Sequence, residues 1–249
     1  RTIYPRTPKY YIIKWLTDFI LEFGVDGYRG DTVKHTEEGV WADFKKECDY
    51  AFANWKQNHP LQVLDQNPFY TIAEVYGYGI SGGQDYDFGD RKVNYFQNGF
   101  NSMINFEFKW NAGQSDYETL FSKYSNALNN DLKGYCVLNY VSSHDDGQPF
   151  DGNRVKGFEA GTKLLLSPGM SQVYYGDESN RSLVIEGTHG DATLRSNMTW
   201  DDIQNNPDTQ RMLWHWQKLG QFRRNHPAVG AGIHSKIESE HYLFSRTYS

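Results

Sequence analysis

The chain has 249 residues and a formal net charge of −6, so it lacks the basic excess that nucleic-acid-binding surfaces need. No apolar run approaches the roughly 20 residues of a membrane span, and the opening RTIYPRTPKYY shows no apolar signal segment. Two cysteines, Cys48 and Cys136, are too few for a disulfide scaffold. We therefore expect a globular protein with a sizeable core and neither a nucleic-acid partner nor a membrane span.

The first half of the chain alternates between helix and strand patterns. A helix is predicted at 8–23, with Gly24 placed to end it and these residues on one face: Ile12, Leu16, Phe19, Ile20 and Phe23. A strand at 25–30, a helix at 37–57 and an apolar strand at 69–75 follow. The glycine-rich segment GYGISGGQDYDFGD then predicts a loop.

The second half continues the same alternation. It predicts strands at 103–108, 135–141 and 171–176, and helices at 116–130, 154–166 and 207–224. The tail HYLFSRTYS resembles the opening of an antiparallel sheet. Strands that alternate with helices favour an α/β fold with parallel strands, in which catalytic side chains lie beyond the carboxyl ends of the strands.

Acidic residues stand where three of these strands end: Asp31, Glu74 and Asp145. One such acid alone is more simply a helix cap or part of a structural ion pair. Three at one rim, with Arg29 two residues before Asp31 on the same strand face, favour a catalytic site. Three carboxyl groups suit glycoside hydrolysis, in which one attacks the anomeric carbon, one protonates the leaving oxygen and one supports the oxocarbenium-like transition state.

Several segments resemble motifs of the α-amylase family of glycoside hydrolases, in the order in which that family carries them. GYRGDTVKH at 27–35 is similar to the nucleophile motif, TIAEVYG at 71–77 to the general-acid motif, and NYVSSHDD at 139–146 to the third motif. PGMSQVYYGDE, RSNMTW and LGQFRRNHPAVGAG resemble the end of the family's barrel. The matches span nearly the whole chain, and together they are far more specific than any one alone.

The resemblance implies a (β/α)8 TIM barrel, of which this chain would supply the C-terminal portion, strands four to eight. It places residues 1–228 in the barrel and 229–249 at the beginning of a C-terminal antiparallel β-sandwich domain. A family motif, Asp-x-x-x-Asn-His, is absent, so an N-terminal half is expected as a partner that supplies strands one to three. The segment order looks closest to bacterial periplasmic α-amylases, which implies a periplasmic or extracellular location.

The same resemblance implies a retaining hydrolase of α-1,4-glucosidic bonds in starch, glycogen or maltooligosaccharides, acting through a covalent glycosyl-enzyme intermediate. Asp31 would be the nucleophile, Glu74 the general acid/base and Asp145 the transition-state stabiliser. Arg29 would position Asp31, and His144 would bind substrate hydroxyls. Two alternatives stay open: an α-glucan transglycosylase that uses the same intermediate, and a non-catalytic glucan-binding homologue.

Lys34 and His35 resemble a pair that lines a leaving-group subsite in α-1,4-glucan-cleaving members, although a solvated turn is the alternative. The His35 backbone carbonyl is also expected to bind a structural calcium ion, whose other ligands would mostly lie outside this chain. Gly30 departs from the family, which usually has a bulky apolar residue there, and predicts looser packing behind Asp31.

The sequence does not decide the role of three further groups of residues. The aromatic residues after Glu74 could form sugar platforms or pack within their loop: Tyr76, Tyr78, Tyr86 and Phe88. Asp177 and Glu178 could bind substrate or form ion pairs. The long loop that carries His189, Asp191 and Arg195 receives no assignment from the sequence.

Overall fold

The structure, a computed structural model, describes residues 4–248. They form two compact units: residues 4–76 with Gln84–Ile104, and Gly77–Gly83 with residues 105–248. The outer ends of the two predicted domains, residues 1–3 and 249, lie outside the described residues. The domain boundary predicted after residue 228 stays a prediction.

The first unit alternates helices and strands. Its elements are α1 (Pro8–Phe23), β1 (Gly27–Gly30), α2 (Glu38–Asn58), β2 (Tyr70–Ala73), β3 (Tyr86–Asp87), β4 (Lys92–Val93) and β5 (Ser102–Asn105), whose last residue falls in the second unit. Strand β2 pairs in parallel with β1 on one side and with β5 on the other. Strands β3 and β4 form a short antiparallel hairpin, of which β3 lies in the predicted glycine-rich loop and β4 just after it. The predicted parallel α/β arrangement is therefore present.

Helix α1 ends where the sequence predicts, because Gly24 adopts the left-handed conformation at φ 67° and donates its amide to the Ile20 carbonyl at 2.9 Å. A side chain at Gly24 would collide with the Trp55 ring. The helix buries Ile13, Thr17 and Ile20. The predicted apolar face is thus only partly buried, since the following members are exposed: Ile12, Phe19 and Phe23.

The second unit contains the remaining elements. They are α3 (Phe108–Gln114), α4 (Tyr117–Asn129), β6 (Cys136–Tyr140), α5 (Gly157–Leu166), β7 (Met170–Gln172), α6 (Trp200–Asn205), α7 (Pro207–Asn225), α8 (Ala228–Ala231), β8 (Ile233–Glu238) and β9 (Leu243–Thr247). Strands β6 and β7 pair in parallel, and β8 and β9 form an antiparallel hairpin, as the tail predicts. Among the described residues, no helix is long and apolar enough to cross a membrane.

Side-chain caps explain two of these helix starts. Asp116 accepts a hydrogen bond from the Thr119 amide at 2.7 Å to begin α4, and Asn206 accepts from the Asp208 amide at 2.9 Å to begin α7. The strand predicted at 103–108 is shorter than expected, because the chain turns at Glu107, whose carbonyl accepts from the Trp110 amide at 3.1 Å. The sequence also failed to predict α3, α6 and α8, which are short.

Candidate active site

The pairing of β1 with β2 brings two of the predicted catalytic acids together. Asp31 directly follows β1, and Glu74 directly follows β2. The Glu74 amide donates to the Gly30 carbonyl at 2.9 Å, and the Val33 amide donates to the Glu74 carbonyl at 3.0 Å. These bonds continue the strand register beyond both ends, so the two acids leave the same edge of the sheet.

A strained turn carries the chain away from Asp31. Thr32 has φ 49°, a left-handed conformation that β-branched residues rarely adopt, and a short 3₁₀ helix (Val33–His35) follows. The Trp41 indole donates to the Val33 carbonyl at 3.1 Å and anchors this helix from α2. A non-glycine residue held at positive φ is an observation typical of functional sites.

Arg29 lies between the two acids. Its guanidinium forms an ion pair with Asp31, and Nη2 is 3.4 Å from Oε2 of Glu74. The Thr32 amide also donates to Oε2 of Glu74, at 2.8 Å. The Glu74 side chain is only 9% exposed, whereas the Asp31 side chain is 64% exposed. The two carboxyl groups therefore share a cation but differ strongly in solvent access.

This environment separates the chemistry of the two acids. Burial raises the pKa of Glu74, and a hydrogen bond shared with Asp31 raises it further, while the Thr32 amide and the Arg29 charge lower it. The raising influences prevail, so the Glu74 carboxyl holds its proton to higher pH than an ordinary glutamate. A protonated acid beside an open carboxylate provides a proton donor and a nucleophile in one place.

Lys34 is fixed beside these acids. Its ammonium donates to the Tyr76 carbonyl at 3.0 Å and to the Tyr86 hydroxyl at 3.1 Å, and it lies 5.2 and 5.3 Å from the centroids of the two tyrosine rings. The hydroxyl of Tyr86 donates to the same Tyr76 carbonyl at 3.0 Å. Lys34 is therefore held by defined partners, which argues against the solvated turn. His35 makes a backbone hydrogen bond to the Thr32 carbonyl within the 3₁₀ helix.

The aromatic residues after Glu74 divide between the two interpretations. Tyr78 is buried and donates to the Gly83 carbonyl at 2.7 Å, so it packs within its loop. Phe88 packs edge-on against Tyr86 at 4.9 Å between ring centroids. Tyr76 is 65% exposed. The other three aromatic side chains, all within the described residues, are buried or only partly exposed. Only Tyr76 keeps the features of a sugar platform.

The packing beside Gly30 corrects one expectation. A Cβ atom at Gly30 would lie 3.1 Å from Cγ2 of Val33 and 3.4 Å from the Phe100 ring. The space that a bulky residue would occupy is therefore filled by these two side chains, and the predicted loosening behind Asp31 is wrong. Even a methyl group at residue 30 would press against Val33, because its neighbours already supply the apolar volume.

In the second unit, Asp145 and His144 share a turn after β6. The Ser143 hydroxyl donates to Oδ1 of Asp145 at 2.8 Å, and Nε2 of His144 lies 3.5 Å from Oδ2 of Asp145. Both side chains are partly open to solvent. The neighbouring Asp146 is mostly buried, and it pairs with Lys109. Of the two adjacent aspartates, Asp145 is thus the one that is accessible for chemistry.

A buried arginine organises the long loop that the sequence left unassigned. Arg181 is 1% exposed and donates to the carbonyl oxygens of Tyr175, Leu194 and Ser196, at 2.8, 3.3 and 3.1 Å. Arg195, on this loop, donates from Nε to the His144 carbonyl at 3.1 Å. The loop therefore contacts the turn that carries Asp145. No local sequence pattern predicts this, because the partners are 51 residues apart.

Asp177 is part of a structural ion pair. Its side chain is fully buried, lies 2.8 Å from Nη2 of Arg154 and accepts from the Ser142 hydroxyl at 2.5 Å. Burial raises the pKa of Asp177, and the Arg154 charge opposes that shift. Glu178 accepts a hydrogen bond from the Gly176 amide at 2.9 Å. These contacts favour the structural interpretation of both acids over substrate binding.

The described residues do not gather a calcium site around His35. Calcium takes six to eight oxygen ligands, most of them carboxylates and carbonyls. Within residues 4–248, the one group of three or more His, Cys, Asp or Glu side chains close enough to share a metal does not include His35: Glu238, Glu240 and His241. The predicted calcium ion would need ligands from elsewhere, and it stays a prediction.

Comparison with curated proteins gives relatives over nearly the whole chain, although no family model matches it. The chain is 35% identical over 227 residues to a periplasmic α-amylase of Escherichia coli (strain K12), which covers 91% of this chain and 31% of the relative. It is 24% identical over 247 residues to a cyclomaltodextrin glucanotransferase of Geobacillus stearothermophilus, over 95% of this chain and 31% of that protein. The chain thus spans about a third of the length of these relatives.

Solved structures show the same fold. An α-amylase from Geobacillus thermoleovorans, complexed with acarbose, has a TM-score of 0.68 at 20% identity, over 97% of this chain and 50% of that one. AmyP in complex with maltose has a TM-score of 0.67 at 16% identity, over 99% of this chain and 56% of that one. The chain therefore has the fold of part of the α-amylase-family (TIM-barrel) enzymes, as the sequence predicts.

Proposed function

Because this chain is a homologue of periplasmic α-amylase, we propose that it forms the C-terminal part of the catalytic barrel of a glycoside hydrolase that cleaves α-1,4-glucosidic bonds with retention. Starch, glycogen and maltooligosaccharides are the proposed substrates. One observation supports this proposal most strongly: the Arg29 guanidinium contacts both Glu74, which is buried and has a raised pKa, and Asp31, whose side chain is exposed to solvent.

The two acids suit a two-step reaction. The Asp31 carboxylate attacks the anomeric carbon while Glu74 gives its proton to the departing glycosidic oxygen, which leaves a glycosyl ester on Asp31. Glu74, now ionised, takes a proton from water as the water oxygen attacks the same carbon and releases Asp31. Both carboxyl groups contact the same Arg29 guanidinium, which is compatible with the short carboxyl separation that is typical of retaining enzymes.

The other predicted residues receive roles by motif and by their contacts. Arg29 orients the Asp31 carboxyl group through their ion pair. Lys34, fixed by Tyr76 and Tyr86, is proposed to bind the leaving-group sugar. From the motif that they occupy, Asp145 is assigned to transition-state stabilisation and His144 to substrate hydroxyls. His35 contributes to the same subsite, and its carbonyl to the predicted calcium ion.

The proposed partner is the N-terminal half of the same enzyme. Helix α1 carries an exposed aromatic stripe at four-residue spacing: Tyr11, Trp15, Phe19 and Phe23. Contiguous apolar surface of this kind is normally covered by protein. Since the chain spans about a third of its curated relatives, we propose that the segment preceding residue 1 in the full-length protein covers the aromatic stripe. The E. coli relative is a periplasmic α-amylase, and the proposed location of this protein is periplasmic or extracellular.

A transglycosylase is the second candidate, because one relative is a cyclomaltodextrin glucanotransferase. Both reactions share the glycosyl ester on Asp31 and differ in whether water or a sugar hydroxyl attacks it. The sizes of the products distinguish them. Hydrolysis of maltoheptaose by the full-length protein gives shorter oligosaccharides alone, whereas transfer also gives longer or cyclic ones.

Proton NMR of the full-length protein acting on maltoheptaose tests the proposed mechanism. Retention requires that the α-anomer of the new reducing end appears first, before mutarotation sets in. Early appearance of the β-anomer contradicts the roles of Asp31 and Glu74. Absence of turnover on every α-glucan offered contradicts the hydrolase and transglycosylase proposals together and leaves the glucan-binding alternative.

A further inference from the structure

Asp146, which follows the proposed transition-state stabiliser directly, is held on every side. Its Oδ1 accepts from the Lys109 ammonium at 2.5 Å and from the Gln148 amide at 3.0 Å. Its Oδ2 accepts from the Tyr140 hydroxyl at 2.6 Å and also contacts the Lys109 ammonium. A carboxylate with so many donors has little capacity left for a substrate.

Lys109 and Asp146 form an ion pair that is almost entirely buried. The Lys109 side chain is 6% exposed and that of Asp146 is 12% exposed, so the ion pair is largely withdrawn from water. The ammonium also lies 4.8 Å from the centroid of the Trp110 ring. A buried ion pair contributes little net stability relative to an apolar pair of the same volume, because both charges lose their hydration. What the charged pair adds is a fixed geometry.

That geometry fixes the turn that carries His144 and Asp145. The Asp146 bond to the Gln148 amide closes the turn internally, and Tyr140 and Lys109 tie it to β6 and α3. The Arg195 bond to the His144 carbonyl holds the other end of the same turn. Asp145 is one peptide unit from Asp146, so a rotation at Asp146 also moves the Asp145 carboxylate.

We propose that Lys109 and Asp146 are positioning residues, which orient the Asp145 carboxylate for transition-state stabilisation. This inference rests on the proposed function, in which Asp145 supports the oxocarbenium-like transition state. Stabilisation that is realised only in the transition state affects kcat rather than KM. A misplacement of about 1 Å costs on the order of 100-fold in rate. The pair should therefore matter for turnover more than for binding.

The test compares Lys109→Met, Asp146→Leu and the double variant in the full-length protein. Each single variant leaves one buried charge without its partner, so its melting temperature should fall together with kcat. The double variant removes both charges, and its melting temperature should return close to that of the parent. Its kcat on maltoheptaose should stay lower by roughly 10- to 100-fold, with KM within about threefold. Recovery of both melting temperature and kcat in the double variant contradicts the positioning role.

A second variant keeps the test decisive if the double variant does not fold. Asp146→Glu retains the charge but lengthens the side chain by one methylene group, which displaces the turn. We expect a cooperative melt with kcat lowered by roughly 10-fold or more and KM nearly unchanged. Parental kcat in folded Asp146→Glu contradicts the proposal.

A second, more exposed ion pair in the same unit serves as the control. Nζ of Lys123 lies 2.5 Å from Oε1 of Glu107. Among the described residues, Lys123 forms no hydrogen bond with His144 or Asp145. Lys123→Met should lower the melting temperature without lowering kcat. If the parental protein turns over no α-glucan, the proposed function fails; if the parent is active and the double variant matches it, only the positioning role fails.

Discussion

The backbone amide of Thr32 donates to Oε2 of Glu74 at 2.8 Å, so the turn that follows one proposed catalytic acid also orients the other. Thr32 reaches this position through a left-handed backbone conformation. The amide favours the ionised form of Glu74, whereas burial and Asp31 favour the protonated form. An acid under opposing influences of this kind is suited to giving up its proton and taking it back.

Glu74→Gln should abolish proton transfer and keep substrate binding. The amide has nearly the same shape as the carboxylic acid but cannot act as the acid, so we expect kcat to fall by about 10²- to 10⁴-fold with KM little changed. Steady-state kinetics of the full-length protein on maltoheptaose measure both parameters. Aryl glucosides with acidic leaving groups should lose less turnover in the glycosylation step, since they need less protonation.

Glu38→Gln is the matched control for this variant. Glu38 lies on α2 in the same unit, where it forms an ion pair with Arg91 at 2.7 Å. We expect its kcat to remain within about twofold of the parent, because exposed ion pairs contribute little. Near-parental kcat in Glu74→Gln would transfer the acid role to another residue.

The pH profile should respond to Arg29. The positive charge of Arg29 lowers the pKa of Glu74, so Arg29→Met should raise it further. Because the general acid must be protonated, kcat/KM falls as pH rises through the pKa of Glu74. We therefore expect the alkaline limb of the kcat/KM profile to move to higher pH in Arg29→Met, along with a lower maximum from the disturbed Asp31. An alkaline limb that stays in place or moves to lower pH contradicts this assignment.

The sequence predicted those parts of the fold that depend on local pattern. The alternation of helices and strands, the Gly24 helix stop and the placement of the acids at 31 and 74 after strands follow from periodicity and from turn chemistry, and the structure has these features. The face of α1 was harder, because the helix has apolar residues on two sides and only one side is covered within its own unit. Hydrophobic periodicity shows that a helix face is apolar. It does not show whether that face packs against the helix's own unit or against another segment.

The contacts around the site could not be predicted in the same way. Lys109 meets Asp146 across 37 residues, and Arg181 binds carbonyl groups along a loop without regular structure. Such pairings depend on how β6, α3 and the loop pack, and single residues give no signal of them. Thr32 likewise gives no signal, since a β-branched residue is disfavoured in the left-handed conformation that it adopts. Gly30 was misjudged because the side chains that fill its space come from Val33 and Phe100.

Acid stability should depend on Glu107. Burial alone would raise its pKa, but hydrogen bonds from Lys123, Ser81 and Asn111 outweigh burial and lower the pKa to about 2, from an ordinary value of 4.5. The folded state therefore binds fewer protons than the unfolded state between these values. The resulting stabilisation is present above about pH 4.5 and is lost as pH falls towards about 2.

Glu107→Gln tests this dependence through melting temperatures of the full-length protein between about pH 2 and pH 7. We expect the variant to melt below the parent at neutral pH, and the difference to shrink as the pH approaches 2. A difference that is constant across the pH range would show that the carboxylate charge of Glu107 contributes nothing.

Arg181→Met should release the loop between Ser182 and Ser196. The variant leaves several carbonyl oxygens without their donor, so we expect the free energy of unfolding to fall by about 2–4 kcal/mol. Limited proteolysis should cut within the loop before the protein unfolds globally. Arg211→Met is the control, because its ion pair with Asp208 is largely exposed and should contribute less than about 1 kcal/mol. Equal stability losses in the two variants contradict the role assigned to Arg181.

The aromatic stripe on α1 gives the last prediction. Trp15 is 61% exposed within the described residues, and Trp200, on α6, is 64% exposed. If the N-terminal half of the full-length protein covers the stripe, Trp15→Lys places a charge in an apolar interface and should destabilise the full-length protein by about 2–4 kcal/mol. Trp200→Lys should stay within about 0.5 kcal/mol, since it changes an exposed position outside the stripe. Denaturant unfolding of both variants measures the difference, and a full-length Trp15→Lys protein as stable as its parent contradicts the proposed covering of α1.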